Sequence, residues 1–429
     1  MIETKERNMK IAHSNPDGRT KGTGRRGPAG GAALCVLVSL ILVHSAVGVD
    51  VDRHLTPDNP FREIKVINKF GEWPAKEGEP YYSSKVGTWF TVWWTEEGAK
   101  TFDHWTKEDW TRVKPVDYGY YSSGDEHYLT HVLLRLKAIG IDFIALDDTN
   151  GHWNDYGLIA RNMEAVYRVA DRLGEDAPQV TIATGRPLRE GDYREQRREL
   201  NAYYEKFVKK HPDAFFNWRG KPLVIMYLAG QSGQRMRDRR FTLRYGTGLA
   251  TWQHRARDTD IFRTTGNWAW VFDLQNPGSE VMGAQPGYNK AHQGAPIDPV
   301  PRMIGGHYIN QWLEAIKQNP EVIIIPSYND HAEETGWEAT VPLRPAIPEA
   351  AQDTIGEDPY LYEKITEAYL ALRYGFIEGF YYREEGSNDL YRYLNGALTE
   401  SEPPNPLQEP VIIVPAGYFE WHAARRTGR

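Results

Sequence analysis

Short apolar runs alternate with amphipathic helical patterns along most of this chain. The run "VGTWFTVWW" (86–94) predicts a strand. In the segment that follows, Leu129 and Leu136 belong to an apolar helical face that ends at Gly140, and 141–148 predicts a second strand. A helix between two such strands is typical of a βα unit in which the helix packs on a parallel sheet.

Six further apolar runs continue the alternation, at 179–185, 221–227, 241–245, 269–273, 280–285 and 321–327. Helices are predicted at 157–173, 190–210, 304–318 and 359–374. Eight strands separated by connecting segments predict an α/β fold, a closed (β/α)8 TIM barrel. An open doubly wound sheet is the alternative, but the chain has no glycine-rich phosphate turn of the kind that fold uses.

These patterns divide the chain into four regions. We expect a signal peptide at 1–48, a proline-containing N-terminal segment at 49–85 that wraps the barrel, the barrel at 86–375, and a C-terminal tail at 376–429. The tail contains a proline-rich linker and one predicted strand, "VIIV", and is too small for an independent domain.

The first region has the features of a targeting segment. Arg25 and Arg26 precede an apolar run at 32–43, and Ala46 and Gly48 suit cleavage near Gly48. We therefore expect a secreted or periplasmic protein that has no membrane contact after cleavage, because about 20 apolar residues are needed to span a bilayer. A membrane anchor is the alternative. Cys35, the only cysteine, precedes the cleavage point, so no disulfide is expected.

Composition narrows the class of partner. The formal net charge of −7 argues against nucleic acid. The 14 Trp and 25 Tyr residues supply flat rings that fill cores and also form platforms for sugars. Seven arginines between 235 and 257 would suit the sulfate or carboxylate groups of an anionic polysaccharide, or would pair with surface acids. The oligomeric state is not predicted.

The most informative stretch is "PSYNDHAEETGWE" (326–338), which crowds four carboxylates behind the last predicted strand, where the loops of a barrel converge. If Asp330 and Glu333 lie on one helical turn, their side chains emerge on one side. Such a pair suits glycosidic cleavage, with one carboxyl protonated and the other ionised. We expect Glu334 and Glu338 to favour that proton by like-charge repulsion. An exposed acidic loop or an acidic first helical turn is the alternative.

The segment 305–338 resembles the catalytic segment of glycoside hydrolase family 99, which includes endo-α-mannosidases, and is similar to that of the family 71 α-glucanases. Those families have a helix Y-x-x-x-W-x-x-A, an apolar strand, and then S-[WF]-N-E-W-x-E-G-T-x-[IW]-E. The matching residues here are Tyr308, Trp312, Ala315, Ser327, Tyr328, Asn329, Asp330, Glu333, Thr335 and Glu338. Weaker similarity extends over most of 86–340.

The resemblance implies a hydrolase that cleaves an α-linked polysaccharide or oligosaccharide with retention and without a cofactor. It implies that Asp330 acts as a base on the substrate 2-hydroxyl and that Glu333 acts as acid and then base. There are three departures: Asp330 replaces Glu, His331 replaces Trp, and Glu334 replaces Gly. Because Asp is shorter, and about 1 Å of misplacement can cost a hundredfold in rate, a barrel that binds glycans without cutting them is an alternative.

Other polar residues follow predicted strands. Asp147 and Asp148 are expected to bind substrate hydroxyls; with His152 and Asp155 they would instead form a calcium site for a calcium-assisted hydrolase, or they simply close a turn. No H-E-x-x-H motif is present, and no metal is predicted.

Trp93, on the same predicted face of the first strand as Trp89, is expected nearest the barrel mouth, where a sugar would stack. Trp268 and Trp270 have the same two interpretations, sugar platform or core. The remaining expected substrate contacts are Asn267, Tyr288, His307, Tyr328, Asn329 and Glu338.

Overall fold

The computed structural model describes residues 82–95, 105, 111, 113–185, 192–228, 236–247, 265–270, 279–290, 299–300, 302, 305–342, 359–373, 380–384, 390–394, 397–401 and 411–414. All of them lie in one unit, Val49–Arg429. The predicted signal peptide (1–48) and nearly all of the predicted wrapping segment (49–85) lie outside the described residues.

The central element is a curled sheet with seven parallel strands. These strands are β1 (Lys85–Thr91), β3 (Phe143–Asp147), β4 (Gln179–Thr184), β6 (Lys221–Tyr227), β7 (Thr242–Gly246), β8 (Val281–Gly283) and β9 (Val322–Ile325). Their order across the sheet is β7-β6-β4-β3-β1-β9-β8. The last strand of this set in the chain, β9, pairs with the first, β1, which is unlike an open doubly wound sheet. A short strand, β5 (Asn217–Trp218), pairs antiparallel with β6.

The predicted sixth strand, 269–273, is not a strand over its described part, and 271–273 lie outside the described residues. An irregular segment, 265–270, occupies the position between β7 and β8. Its Trp268 N–H donates to the carbonyl of Tyr245 at 3.1 Å. At its other side Gly266 has φ +70° and packs so closely on the carbonyl of Val281 that a Cβ would clash there.

Alternate residues of the strands face two different cores, as strand geometry requires. Phe90, Leu146 and Ile325 belong to the core between the sheet and the helices. Trp89, Ala145 and Ile324 belong to a second core inside the curl of the sheet. The indole of Trp89 crosses that interior and donates to the carbonyl of Trp268 at 2.9 Å. The 265–270 segment is therefore tied to the opposite wall as well as to β7.

Five helices are described: α1 (Glu126–Ile139), α2 (Asn154–Leu173), α3 (Arg194–Tyr203), α4 (Gly306–Gln318) and α5 (Leu361–Leu372). Helix α1 is capped at its start by the Asp125 side chain and ends, as predicted, at Gly140, whose φ of 105° suits glycine. A π-helical turn, Tyr204–Val208, continues α3. No helix among the described residues is long and apolar enough to cross a membrane.

Two small sheets complete the described structure. Strand β2 (Val113–Pro115) pairs with β10 (Thr340–Pro342). The C-terminal region contains β11 (Phe380–Glu384), β12 (Leu390–Leu394), β13 (Ala397–Ser401) and β14 (Val411–Val414), which form one four-stranded sheet. The prediction of a tail with one strand was therefore wrong. Three of the strands were missed because Tyr, Arg, Thr and Glu interrupt the apolar pattern there.

Candidate active site

The acidic loop follows β9 at the carboxyl edge of the parallel sheet, and main-chain hydrogen bonds fold it back on itself. Trp337 N–H donates to the carbonyl of Ser327 at 3.1 Å, and Glu338 N–H donates to that of Tyr328 at 2.8 Å. Arg302 donates to the carbonyls of Glu334 and Gly336 from the outside of the loop. The loop is thus a turn held by these hydrogen bonds, not the single helical turn considered from the sequence.

This turn brings Asp330 and Glu333 together. The main-chain N–H of Glu333 donates to Oδ1 of Asp330 at 3.0 Å, and the Asp330 N–H donates to Oγ of Ser327 at 2.7 Å. Asp330 is 2% exposed, whereas the Glu333 side chain is 18% exposed. The main chain of Glu333 thus binds the Asp330 carboxyl, and the Glu333 side chain is the more accessible of the two acids.

Lys290, which follows β8, binds the second acid. Its Nζ lies 2.7 Å from Oε1 of Glu333, and the N–H of Asn289 donates to the Glu333 carbonyl at 2.9 Å. Burial alone would lower the pKa of Lys290, but the attraction of Glu333 outweighs it and raises that pKa. The lysine is therefore a cation at the centre of the acid group.

Asp147, at the end of β3, is the third carboxyl of this group. Burial raises its pKa to about 7, against the opposing hydrogen bonds from Thr149, and Glu333 adds repulsion. The pKa of Asp330 is raised well above its ordinary value, first by burial and then by the charge of Glu333, with Asp147 adding to the rise and Lys290 opposing it. These surroundings favour the protonated form of Asp330.

The main charged neighbours that raise the pKa of Asp330 are Glu333 and Asp147, and the predicted contribution of Glu334 and Glu338 stays a prediction. Oε2 of Glu338 instead accepts from Tyr121 at 2.9 Å and lies 2.7 Å from Nε2 of His331. Burial raises the pKa of Glu338 to about 8 and lowers that of His331 to about 3, so the histidine is neutral.

Glu334 shows why a glycine suits its position in the family pattern. Its φ is 51°, in the left-handed region that glycine adopts without strain. The loop of this chain thus keeps the backbone conformation that glycine favours although the residue has changed. The side chain of Glu334 is buried.

Three residues that are predicted to contact sugar are buried and have neighbours within the protein. Asn329 is 0% exposed; its amide accepts from Thr91 N–H at 2.7 Å and donates to Thr91 O and Tyr121 Oη. Tyr328 stacks on Phe90 in the core between sheet and helices. Trp93 lies in that same core, because β1 ends at Thr91 and the strand alternation does not extend to it.

Asn267 and His307 also have protein partners. The Asn267 side chain accepts from the N–H of Thr247 at 2.9 Å and donates to the carbonyl of Trp270 at 2.9 Å, which fixes the irregular segment 265–270. His307 lies 3.1 Å from Nε2 of Gln311, and burial lowers its pKa to about 4. Neither residue is brought into the acid group by the contacts described.

Asp148 is separated from Asp147 by its partners. Its Oδ2 lies 2.9 Å from Nδ1 of His152 and accepts from Tyr203 Oη at 2.5 Å, and burial raises its pKa. The side chain of Asp155 lies outside the described residues. In the part of the chain that the structure describes, no group of three His, Cys, Asp or Glu side chains is arranged to hold a metal ion.

The predicted arginine cluster is partly described, and two of its members pair with acids of the protein, Asp238 and the buried Glu280. Arg240 pairs with Asp238 at 2.6 Å, and Arg244 pairs with Glu280 at 2.5 Å. Arg235, Arg255 and Arg257 lie outside the described residues. These two arginines thus favour the interpretation that the cluster pairs with acids of the protein itself.

The structure adds site residues that the sequence did not single out. Lys290 is the most important, and Tyr227, at the end of β6, contacts the ring of Trp270 with 6.0 Å between centroids. Tyr288 was predicted as a contact, and burial together with Glu333 and Asp330 raises its pKa, which places it beside the acids. The only sequence signal for Lys290 was its place two residues after Tyr288, behind a predicted strand.

Solved structures give the comparison that identifies the fold. Two structures of the glycoside hydrolase family 99 endo-α-mannosidase of Bacteroides thetaiotaomicron, one in complex with bis-tris propane, match over 69% of this chain and 99% of theirs. Their TM-scores are 0.50 and 0.51, at 15% and 14% identity. The fold is similar to that of family 99. The family 99-like resemblance seen in the sequence is thereby confirmed at the level of the fold, whereas no protein-family model and no curated protein matches the sequence.

Proposed function

We propose that this protein is a glycoside hydrolase that cleaves an α-linked polysaccharide or oligosaccharide with retention of anomeric configuration. The observation that carries the proposal is the contact of Asp330 and Glu333 at the carboxyl edge of the sheet, with a lysine on one acid and burial around the other. The family 99-like fold supports it, because both matched structures are of an endo-α-mannosidase.

The two acids differ in charge, as glycosidic cleavage requires. Asp330 is buried, and its pKa is raised well above the ordinary value, which favours its protonated form. Glu333 instead lies 2.7 Å from the ammonium group of Lys290. This distribution is the reverse of the order implied by the resemblance, in which the first acid is the base.

We accordingly assign Asp330 as the general acid and Glu333 as the base. Asp330 donates its proton to the glycosidic oxygen as the bond to the anomeric carbon breaks. Glu333 takes the proton of the 2-hydroxyl, whose oxygen then bonds to the anomeric carbon. In the second step Asp330, now a carboxylate, removes a proton from water, and that water opens the anhydro sugar while Glu333 returns its proton to the 2-oxygen. Two inversions give net retention.

The surrounding residues would hold the sugar. Asp147 offers a carboxyl to its hydroxyls, and the rings of Tyr227, Trp270 and Tyr288 offer an apolar base at the inner side of the sheet. The proposal includes a closed (β/α)8 barrel, with residues 265–270 in its sixth position, and secretion after cleavage near Gly48.

The experiment is an incubation with α-mannans and α-glucans, followed by proton NMR of newly formed anomeric signals. We expect that the anomer formed first in the product has the α configuration of the linkage that was cleaved. Glu333→Gln should abolish them. Glu334→Gly is the matched control, because it removes the adjacent carboxylate and restores the glycine of the family pattern; it should keep activity.

A glycan-binding protein without turnover is the second candidate, and the deep burial of the shortened acid, Asp330, favours it. Binding of a glycan to the wild-type protein with no new anomeric signal after long incubation would select it. The calcium-assisted alternative is not taken further, since the carboxyls of Asp147 and Asp148 bind different neighbours.

A further inference from the structure

An exposed tryptophan stands on the same rim as the acid group. Trp153 directly precedes α2, in the connection that begins after Asp147 at the end of β3. Among the side chains that the structure describes, it is the large hydrophobic one that is exposed, at 37%. A single exposed side chain of this kind is ordinary by itself. What indicates a role is its place after β3, the strand that ends in Asp147, together with its contact with an arginine.

The ring of Trp153 has fixed support from below. The edge of His152 lies against it, with ring centroids 5.1 Å apart and planes at 89°. His152 is fully buried, and its Nδ1 lies 2.9 Å from Oδ2 of Asp148, the neighbour of Asp147. Through His152 and Asp148, the tryptophan is therefore fixed to the end of β3, which carries Asp147.

An arginine covers the tryptophan ring. The guanidinium carbon of Arg198 lies 3.6 Å from the centroid of Trp153, in a cation–π contact. Arg198 is exposed, and other described arginines bind carboxylates: Arg194, on the same helix, pairs with Asp192 at 2.9 Å. For Arg198 the partner is a ring, so the edge of its planar fork remains available to an anion.

Helix α3 holds this arginine in place. Gln196 donates to the carbonyl of Gly185 at 2.8 Å, and the Gly185 N–H donates to Glu199 at 3.1 Å, which ties the first turns of α3 to the chain that follows β4. Both members of the Trp153–Arg198 pair are thus anchored to the carboxyl ends of neighbouring strands. A preorganised pair loses little freedom when a ligand binds.

We infer that Trp153 and Arg198 form a rim subsite for a negatively charged sugar unit, a uronate or a sulfated sugar. The indole would hold the guanidinium in place, and the edge of the guanidinium fork would bind the carboxylate or sulfate of the sugar through two hydrogen bonds. The inference rests on the proposed function, because it adds a substrate class, acidic α-linked polysaccharide, to that site.

The test measures binding without turnover, in the full-length Glu333→Gln protein, by affinity electrophoresis. The probes are α-mannan, the same mannan after chemical sulfation, and polygalacturonate, an α-linked uronate polymer. The variants are Arg198→Gln, Arg198→Lys and Trp153→Ala, with melting temperatures as the check on folding. Arg197→Gln is the matched control, since it removes the same charge from the adjacent exposed position.

We expect the sulfated mannan or polygalacturonate to bind at least tenfold more tightly than neutral mannan, with Arg198→Gln removing about tenfold of that affinity and Arg197→Gln almost none. Arg198→Lys should restore only part of it, because a lysine lacks the fork. Trp153→Ala should weaken binding of the acidic chains, because Arg198 loses the ring that holds it. Which acidic polymer responds distinguishes sulfate from carboxylate.

Equal loss in Arg197→Gln and Arg198→Gln would overturn the subsite, since it would show a general charge effect. If the Glu333→Gln protein, with Trp153 and Arg198 intact, binds neutral and acidic chains equally well, the subsite is also refuted. Failure of the wild-type protein to cleave any chain, with these binding results intact, would refute the hydrolase alone and leave the subsite in place.

Discussion

The ammonium group of Lys290 lies 2.7 Å from Oε1 of Glu333, and this contact joins the segment after β8 to the loop after β9. This lysine has two consequences. It holds the Glu333 side chain in position, and it opposes the rise in the pKa of Asp330.

Replacement of this lysine should change both rate and pH dependence. In Lys290→Met we expect kcat to fall about 10- to 100-fold, because Glu333 loses the partner that positions it. The pKa of Asp330 should rise further, so the alkaline limb of the pH–rate profile should move to higher pH. Lys209→Met, which breaks an exposed ion pair with Glu205, is the control and should change neither. An unmoved alkaline limb would contradict the assignment of Asp330 as the acid.

Removal of the third acid should shift the same limb the other way. The charge of Asp147 raises the pKa of Asp330, so Asp147→Asn should lower that pKa. Asp330 is active when protonated, and the alkaline limb should therefore move to lower pH. The pH–rate profile of the variant, scaled to its own maximum, measures this. If the alkaline limbs of Asp147→Asn and Lys290→Met move in the same direction, that limb reports a group other than Asp330.

Glu338 should affect stability and its pH dependence. Its pKa is about 8 in the folded protein, raised by burial from an ordinary value of about 4. Because this pKa is raised on folding, Glu338 stabilises the folded protein fully at a pH below its pKa in the unfolded chain. That stabilisation is lost as the pH rises to about 8. Glu338→Gln should therefore gain free energy of unfolding relative to the wild-type protein as pH rises from 5 to about 8.

Urea unfolding at a series of pH values measures that gain. Glu126→Gln is the control. The pKa shift of Glu126 is opposite to that of Glu338, because hydrogen bonds from Arg172 and Arg168 lower it. Its contribution is already complete above the ordinary value, so its difference from the wild-type protein should stay constant over this range. A pH-independent difference for Glu338→Gln would show that Glu338 is ionised in the folded protein.

Asn267 should prove to be a structural residue. Asn267→Ala leaves the buried N–H of Thr247 and carbonyl of Trp270 without their partner, and we expect a loss of about 2 to 4 kcal/mol of unfolding free energy. The KM of the folded fraction should not change. Asn201→Ala, at an exposed position, is the control and should cost within about 0.5 kcal/mol. A higher KM at unchanged stability would restore the predicted role of Asn267 in sugar binding.

The strands were predictable wherever a run is buried on both faces. Parallel strands such as 322–325 consist of consecutive apolar residues, which the sequence displays directly. At the sixth position the described residues, 265–270, are held by the Asn267 side chain and by Trp268 rather than by a strand ladder. Local periodicity contains no signal for such contacts.

The site was predictable only where it is local in sequence. Asp330 and Glu333 are three residues apart, and one turn is enough to join them. Lys290 lies 43 positions before Glu333, and their contact exists because β8 and β9 are neighbours in the sheet. Tyr328 and Asn329 were assigned to the sugar because they belong to the family pattern, whereas the structure shows that they hold the loop.

Hydrolysis of an α-glycosyl fluoride by two acid variants tests the central claim most directly, because fluoride leaves without protonation. With the fluoride of the sugar found in the NMR assay, Asp330→Asn should release the first equivalent of fluoride at a rate close to that of the wild-type protein and then turn over slowly, because the second step needs Asp330 as the base on water. The same variant should fail on the polysaccharide. Glu333→Gln should fail on both. Undiminished cleavage of the polysaccharide by either variant would contradict the account, and fluoride cleavage by Glu333→Gln alone would assign the proton to Glu333.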